Sequence, residues 1–261
     1  MPTIEPTVLA LDFDGVLCDG MIEYFQTSWR TYCQIWTADS QIQPENLAEN
    51  FYKLRPVIEV GWEMPLLLRA LILGVPEEKI WQDWVGVAQK IVLEENLNAA
   101  EIGLQLDQIR DRWIAEDLDS WLALHRFYPG IVERLRSLLA SSVQPVIVTT
   151  KEGRFAQQLL QQQNINMPTE LIIGKEVKRS KHQTLRELLT AFSVDAASIW
   201  FVEDRLKTLQ SVEQQPDLEA VKLFLADWGY NTPAQQASIR LRSRIKLLSL
   251  SQFAQDFSAW C

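Results

Sequence analysis

Cysteine, histidine and long apolar runs are all scarce in this chain, and each shortage argues against a class of protein. The three cysteines, Cys18, Cys33 and Cys261, are odd in number and widely spaced, which predicts a reducing compartment rather than a disulfide framework. The two histidines, His125 and His182, are isolated and predict no metal site. No segment approaches the roughly 20 apolar residues that span a bilayer, and no basic leader precedes an apolar run. We therefore expect a cytoplasmic protein with no membrane partner.

Positive charge is also in short supply. The chain has 25 lysine and arginine residues against 34 aspartate and glutamate residues, a formal net charge of −9. This balance argues against general affinity for nucleic acid or for anionic membranes. It leaves room for a small phosphorylated substrate, because a few local cations can offset the overall charge. A length of 261 residues allows one large domain or two smaller ones.

The most informative segment is a short apolar strand that ends in two carboxylates. Val8-Leu9-Ala10-Leu11 is typical of a buried strand, and Asp12, Asp14 and Gly15 follow it. In an extended chain the two carboxylates would point to opposite faces, but a turn permitted by Gly15 can bring both into one crevice. Open α/β sheets bind ligands at the carboxyl ends of their strands. The pair is therefore placed to bind a divalent cation or to supply a nucleophile.

Three further segments place polar residues beside predicted strands or helices. A strand over 145–149 ends at Thr149, and a strand over 199–203 ends in Glu203-Asp204. A helix over 181–192 begins at Lys181, with Lys178 as a rival for the same role. Each segment has an ordinary structural explanation when taken alone. Thr149 could simply end a strand, Asp204 could cap a helix, and either lysine could be a solvated surface residue.

Taken in this order, the four segments resemble the motifs of the haloacid dehalogenase-like (HAD) hydrolase superfamily. The resemblance covers residues 7–19 and about 128–230, and Glu203-Asp204 is similar to the phosphomutase-like branch of that family. It implies an α/β fold: a Rossmann-like, doubly wound parallel sheet with an inserted α-helical cap of the C1 type. The chain departs from the family's motifs at two places. Cys18-Asp19-Gly20 replaces the common Asp-Ser ending of the first motif, and Thr208 stands at the end of the fourth motif, where a further Asp is common.

The hydropathy pattern is consistent with that arrangement. Predicted helices come first, over 21–36, 44–53, 64–73, 77–95 and 99–125. After Tyr128-Pro129-Gly130, strands over 145–149, 171–173, 199–203 and 219–225 alternate with helices over 131–141, 153–163, 181–192 and 205–214. A last apolar run over 245–249 precedes a C-terminal helix. We therefore predict a catalytic α/β core from 1–19 and 128–261, with 20–127 as the inserted cap.

The resemblance also implies roles for particular residues. Asp12 would be the nucleophile that forms an aspartyl-phosphate, and Asp14 would be the general acid and base. The presence of Asp14 separates phosphoryl transfer from carbon–halogen cleavage, because the dehalogenases of the family lack it. Thr149 would hydrogen-bond a phosphate oxygen, and Lys181 would hold the nucleophile and the phosphate together.

The same resemblance implies a magnesium ion, Mg²⁺, as cofactor. Asp12, the backbone carbonyl of Asp14, and Asp204 would bind it, with Glu203 contributing directly or through a water. The substrate would contact backbone N–H groups of Phe13, Asp14 and Thr150. We name Lys178 and Arg55 as further candidate substrate contacts.

These features predict a Mg²⁺-dependent hydrolase that acts on a small phosphorylated metabolite. Two alternatives stay open: a sugar phosphomutase that uses the same nucleophile, and a non-catalytic binding or regulatory protein that keeps the fold. The tryptophan content of the insertion motivates the last alternative. Seven of the ten tryptophans lie there, and we expect them to pack inside a helical domain rather than to form an aromatic ligand pocket. They are Trp29, Trp36, Trp62, Trp81, Trp84, Trp113 and Trp121.

Overall fold

The chain forms two compact units in a computed structural model that describes residues 5–37, 42–239 and 244–260. One unit comprises Met1–Asp19 with Arg126–Cys261, and the other comprises Gly20–His125. We call them the sheet unit and the helical unit. None of the helices in the described ranges is both long enough and apolar enough to cross a membrane. Cys18 is a buried free thiol, while Cys261 lies outside the described residues.

The sheet unit contains a six-stranded parallel sheet and a separate pair of short strands. In chain order the strands are β1 (Val8–Leu11), β2 (Cys18–Asp19), β3 (Arg126–Phe127), β4 (Gln144–Val148), β5 (Ile172–Ile173), β6 (Ile199–Glu203), β7 (Lys222–Ala226) and β8 (Lys246–Leu248). The sheet has the order β5-β4-β1-β6-β7-β8, and every neighbouring pair in it is parallel. The short strands β2 and β3 pair with each other in antiparallel fashion. The predicted doubly wound α/β fold is confirmed.

The described residues form twelve α-helices, divided equally between the two units. The helical unit contains α1 (Met21–Ile35), α2 (Leu47–Leu54), α3 (Glu63–Ile72), α4 (Glu77–Glu94), α5 (Ala99–Glu116) and α6 (Leu118–Leu122). The sheet unit contains α7 (Ile131–Leu139), α8 (Gly153–Gln162), α9 (Lys181–Phe192), α10 (Leu206–Glu213), α11 (Pro233–Ile239) and α12 (Leu250–Phe253).

The central strands are buried on both faces, which explains their almost continuous apolar sequence. Successive residues of β6 point to opposite sides of the sheet. Phe201 packs with Leu185 and Leu209 in one apolar cluster. Trp200 faces the other way, with its ring centroid 5.3 Å from that of Phe224. This two-sided packing holds the strands in register, and the register places their carboxyl ends at one edge.

The tryptophans of the helical unit take part in its packing. Trp29 and Trp84 belong to its apolar cluster, and Trp113 and Trp121 are buried as well. The rings of Trp29 and Tyr32 stack at a centroid distance of 5.3 Å. Burial of large aromatic surfaces is a main source of stability in a small helical domain.

Several predicted element boundaries are wrong. The expected helix over 99–125 is two helices, because Asp117 leaves the helical conformation and its side chain accepts a hydrogen bond from Ser120 N at 3.0 Å, which starts α6. The expected strand over 219–225 begins only at Lys222, since a 3₁₀ turn over Pro216–Leu218 precedes it. The two-residue strands β2 and β3 and the helix α11 were not predicted, because segments this short have little periodicity.

One buried ion pair joins two helices of the helical unit. Glu23 on α1 is 1% exposed, and its Oε1 atom accepts hydrogen bonds from Thr27 Oγ1 at 2.6 Å and from Arg110 Nε at 2.7 Å. Burial alone would lower the pKa of Arg110, but the Glu23 carboxylate raises it above its ordinary value. Arg110 lies on α5, so the pair links α1 to α5.

We predict that Glu23→Ala lowers the free energy of unfolding by about 2 kcal/mol, because the substitution leaves the Arg110 guanidinium, 21% exposed, with only the 3.5 Å contact to Asp107. Urea denaturation measures this change. Lys90→Ala is the control: it removes an exposed pair with Glu94, in which both side chains are 64% exposed, and should cost less than about 0.5 kcal/mol. Equal costs for the two variants would contradict the structural role of the buried pair.

Candidate active site

The turn that follows β1 brings two carboxylates to the carboxyl edge of the sheet. β1 lies between β4 and β6, and the ladder continues one step further through Asp12 N, which donates to Val202 O at 3.0 Å. The chain then turns back on itself, with Leu17 N and Cys18 N both donating to the carbonyl of Phe13 at 2.9 Å. Gly15 adopts φ +85° within this turn, a conformation that glycine accepts without strain.

The two strands that flank β1 bring further polar residues to the same edge as Asp12. Thr149 directly follows β4, Glu203 is the last residue of β6, and Asp204 comes next. All four side chains are buried, with Glu203 0% and Asp204 1% exposed. Parallel strands end at the same edge of a sheet, so four residues far apart in the sequence form one cluster.

Lys181 is the lysine that contacts this cluster. Its Nζ atom lies 2.7 Å from Asp12 Oδ1 and 2.6 Å from Glu203 Oε2. The start of α9 is fixed by a capping box in which Ser180 and Gln183 each bond the other's backbone N–H. Lys178 is exposed on the preceding turn. Lys181 is therefore the one of the two that contacts Asp12, and its role in catalysis stays a prediction.

Burial and like charge raise the pKa of every carboxylate in the cluster. Burial raises the pKa of Asp12 from 3.8 to about 6, and Glu203 adds to the rise while Lys181 opposes it. Burial also raises the pKa of Glu203 and of Asp204. Burial alone would lower the pKa of Lys181, but Asp12 and Glu203 raise it above its ordinary value. The ammonium group of Lys181 contacts only two of these three carboxylates, Asp12 and Glu203, which leaves surplus negative charge when all three are ionised.

This donor set fits a divalent cation. Asp12, Glu203 and Asp204 can each offer a carboxylate oxygen, and those atoms lie within 4.8 Å of one another. Hard cations prefer such oxygen ligands, and their charge would offset the surplus negative charge. Asp14 differs, because its Oδ2 atom lies 3.3 Å from Lys151 Nζ. The structure brings three of the four predicted metal ligands together, and a contact through the Asp14 carbonyl stays a prediction.

Backbone and side-chain donors hold the acidic pair in place. Glu203 Oε1 accepts from the backbone N–H groups of Asp204 at 3.0 Å and Arg205 at 2.9 Å. Asp204 Oδ2 accepts from Tyr230 N at 2.8 Å, and Asn231 Nδ2 donates to the Asp204 carbonyl at 3.1 Å. These bonds fix both carboxylates before any ligand arrives.

Two residues of the site were missed by the sequence reasoning. Lys151 follows Thr149 by two positions, and its side chain is only 8% exposed beside Asp14. Its position directly after the Thr149-Thr150 motif was a usable signal. Tyr230 bonds Asp204 through its backbone and Asp19 Oδ1 through its hydroxyl at 2.8 Å. No local pattern marks Tyr230, because both partners are distant in the sequence.

The remaining predicted substrate contacts are dispersed. Phe13 is fully buried, and its ring meets that of Phe127 edge-on at 5.9 Å. Thr150 is exposed beyond the end of β4. Arg55 belongs to the helical unit, where its Nη1 atom donates to Ile58 O at 3.2 Å. The involvement of these residues in substrate binding stays a prediction.

The fold and site define the class of this protein, and comparison with known proteins identifies its family. Fold and site describe an α/β enzyme whose reactive groups stand at the carboxyl ends of parallel strands. The model of the haloacid dehalogenase-like hydrolase family matches residues 68–215, more than half of the chain, and that range includes Thr149, Lys181, Glu203 and Asp204. The chain belongs to the haloacid dehalogenase-like hydrolase family, and the predicted resemblance is confirmed.

Solved structures of similar proteins support the fold. A predicted phosphatase from Clostridium acetobutylicum is 13% identical with a TM-score of 0.57, over 96% of this chain and 97% of its own. A predicted phosphoglycolate phosphatase from Haemophilus somnus is 15% identical with a TM-score of 0.59, over 95% of each chain. A haloacid dehalogenase-like family hydrolase from Streptococcus pneumoniae is 13% identical with a TM-score of 0.54, over 94% of each chain. No curated protein sequence matches the chain.

We predict that Gly15→Ala destabilises the protein more than a glycine substitution with the same backbone strain. A Cβ atom at Gly15 would lie 2.3 Å from Asp204 Oδ2, whereas one at Gly130, where φ is +80°, would meet only Ala254 Cβ at 3.5 Å. Gly130→Ala should therefore cost about 1–2 kcal/mol from backbone strain, and Gly15→Ala about 2 kcal/mol more from overpacking. Urea denaturation measures both, and equal costs would show that the turn does not press against Asp204.

We also predict that Asp12→Asn stabilises the metal-free protein at neutral pH. A folded-state pKa of about 6, above the ordinary 3.8, gives a contribution that is present at low pH and is lost as the pH rises through 6. The free energy of unfolding of the variant, relative to wild type, should therefore increase by about 2 kcal/mol between pH 4 and pH 7. Denaturation with a chelator present measures this difference.

Asp217→Asn is the control for this pH dependence. Asp217 is exposed, and its hydrogen bond with Arg186 lowers its pKa below the ordinary 3.8. The contribution of such a group changes only at pH values below 3.8, so the stability of this variant relative to wild type should stay nearly constant from pH 4 to pH 7. A difference between Asp12→Asn and wild type that stays constant from pH 4 to pH 7 would contradict the raised pKa of Asp12.

Proposed function

We propose that this hydrolase is a Mg²⁺-dependent phosphatase that cleaves a small phosphomonoester through an aspartyl-phosphate on Asp12. The observation that carries the proposal is the buried contact of Asp12 with Lys181, next to Glu203 and Asp204 and two residues before Asp14. The similar structures from Clostridium acetobutylicum and Haemophilus somnus are described as phosphatases, which supports the reaction class.

Asp12 would attack the phosphorus atom with a carboxylate oxygen. Its carboxylate is the conjugate base at neutral pH, so no separate base is needed to activate it. The new bond joins the Asp12 oxygen to phosphorus while the bond from phosphorus to the ester oxygen breaks. Lys181 would hold Asp12 in position and offset the negative charge of the phosphoryl group.

Asp14 would transfer the protons in both half-reactions. It would give a proton to the departing ester oxygen, so that the product leaves as a neutral alcohol. It would then accept a proton from the water that attacks the aspartyl-phosphate, and inorganic phosphate would leave Asp12 as a carboxylate. Lys151, 3.3 Å from Asp14 Oδ2, would orient this side chain.

Asp12, Glu203 and Asp204 would hold the Mg²⁺ ion. The bound ion would supply positive charge that polarises the phosphoryl oxygens. Thr149 Oγ1 and the backbone N–H groups of Phe13, Asp14 and Thr150 would hold the phosphate oxygens. Lys151 N donates to Thr149 Oγ1 at 3.1 Å, so the hydroxyl hydrogen of Thr149 can point away toward a ligand.

The helical unit Gly20–His125 would be the inserted cap of this enzyme, with Arg55 as a substrate contact. The chain leaves the sheet unit after Asp19 and returns at Arg126, and these two residues are paired across β2 and β3. The cysteine pattern supports a cytoplasmic location. The Glu203-Asp204 pair also supports a second candidate, a sugar phosphomutase, which would return the phosphoryl group to a sugar.

We predict that wild-type protein releases phosphate from at least one member of a panel of phosphorylated metabolites, and only when Mg²⁺ is present. Asp12→Asn should reduce the rate at least about a thousandfold, because it removes the nucleophile. The measurement is released inorganic phosphate, with and without a chelator.

Asp217→Asn is the matched control, because it makes the same chemical change at an exposed position paired with Arg186. Its rate should equal that of wild type. Absence of phosphate release by wild type across the panel, or an Asp12→Asn rate equal to that of wild type, would contradict the phosphatase. An isomerised sugar phosphate without free phosphate would instead identify the mutase.

A further inference from the structure

A basic cavity of about 350 Å³ opens beside the candidate active site. Thr149 and Lys181 line it together with Lys175, Lys178 and Arg179. No carboxylate is among the described residues that line it, although the chain carries a net charge of −9. The volume lies at the small end of the range for metabolite pockets. The cavity therefore combines positive charge with a size that suits a small anion.

Among the described residues, Lys178 is the cation of this cavity for which no carboxylate lies within ion-pair distance. Lys175 and Arg179 each pair with a glutamate, and Lys181 pairs with two buried carboxylates. Within the part of the chain that the structure describes, the Lys178 ammonium has no carboxylate partner. An anionic ligand in the cavity would find Lys178 available, since its binding would break no existing ion pair.

The segment that carries Lys178 is anchored to Gly153, the first residue of α8. A Cβ atom at Gly174 would lie 2.3 Å from Gly153 N, so the two backbones approach closely. Gly153 N also donates to Glu176 Oε2 at 3.1 Å. Lys178 then adopts φ +50° and its N–H group donates to Lys175 O at 3.1 Å. A left-handed conformation at a non-glycine residue costs energy, and these contacts maintain it.

We propose that this cavity is a subsite for a second anionic group of the substrate, a carboxylate or a phosphate, with Lys178 as its counter-ion. The inference rests on the proposed function, in which the reacting phosphoryl group lies at Thr149 and Lys181. Both residues also line the cavity, so a substrate held there would extend toward Lys178. The enzyme would prefer phosphomonoesters with an anionic tail to those with a neutral tail.

Three phosphate esters built on a three-carbon chain test the proposal: 3-hydroxypropyl phosphate, 3-phosphonooxypropanoate and propane-1,3-diyl bisphosphate. Wild type should hydrolyse at least one of the two esters with anionic tails with a kcat/KM about tenfold above that of the neutral one, which is the size expected for one charge-assisted contact. Which of the two is preferred identifies the second group as carboxylate or phosphate. Equal kcat/KM for all three would overturn the proposal.

Lys178→Asn removes the charge with a residue that tolerates the left-handed conformation. It should abolish the tenfold preference, chiefly through KM for the anionic esters, and Lys178→Arg should restore it. Lys246→Asn is the matched control, because Lys246 is exposed on β8, at the opposite edge of the sheet from β5. It should keep the wild-type preference. A preference that persists in Lys178→Asn would overturn the proposal.

A binding measurement separates failure of the subsite from failure of the proposed function. If wild type hydrolyses none of the three esters, calorimetric titration of Asp12→Asn with the same esters still tests the cavity. Binding of either anionic ester about tenfold tighter than binding of the neutral one, lost when Lys178→Asn is added, would support the subsite. Equal affinities, or a difference that Lys178→Asn does not change, would overturn it.

Discussion

A single ammonium group, that of Lys181, allows the acidic residues of this site to be buried together. It contacts Asp12 at 2.7 Å and Glu203 at 2.6 Å, and Asp204 completes the cluster. Removing charges from water is costly unless they are paired. Two features of the sheet unit make this contact possible. The strand order brings β1 and β6 together, and the capping box places Lys181 at the first position of α9. Without the lysine, the carboxylates would have to take up protons or become exposed.

The lysine does not neutralise the cluster, and this incomplete compensation matters for function. Burial raises the pKa of Asp12, Glu203 and Asp204 together. A buried cluster with this charge is therefore less stable than an apolar cluster of the same shape would be, which is a recurring property of functional sites. The same excess charge provides the attraction for a divalent cation. The free energy of unfolding that the protein loses by burying these like charges is thus available as binding free energy for the ion.

The parts that could be predicted from sequence are those that local pattern determines. Apolar runs ending in polar residues located Asp12, Thr149 and Glu203, because a buried strand and its end leave a clear local pattern. The choice between two lysines three residues apart could not be made that way, since it depends on where a helix begins relative to a distant strand. Tyr230 was missed for the same reason: its partner Asp204 lies 26 residues away along the chain. A helix break such as the one at Asp117 depends on a single side chain. It cannot be recognised from the amphipathic pattern of the sequence, which continues on both sides of the break.

The pairing of Asp19 with Arg126 has a consequence for how such a protein can change over time. The strands β2 and β3 bring together the two points at which the chain passes between its units. An insertion whose ends lie side by side behaves as a module, because it can be lengthened, shortened or exchanged without moving the sheet that receives it. The two short strands, four residues in all, would let selection alter the insertion while the acidic cluster stays as it is.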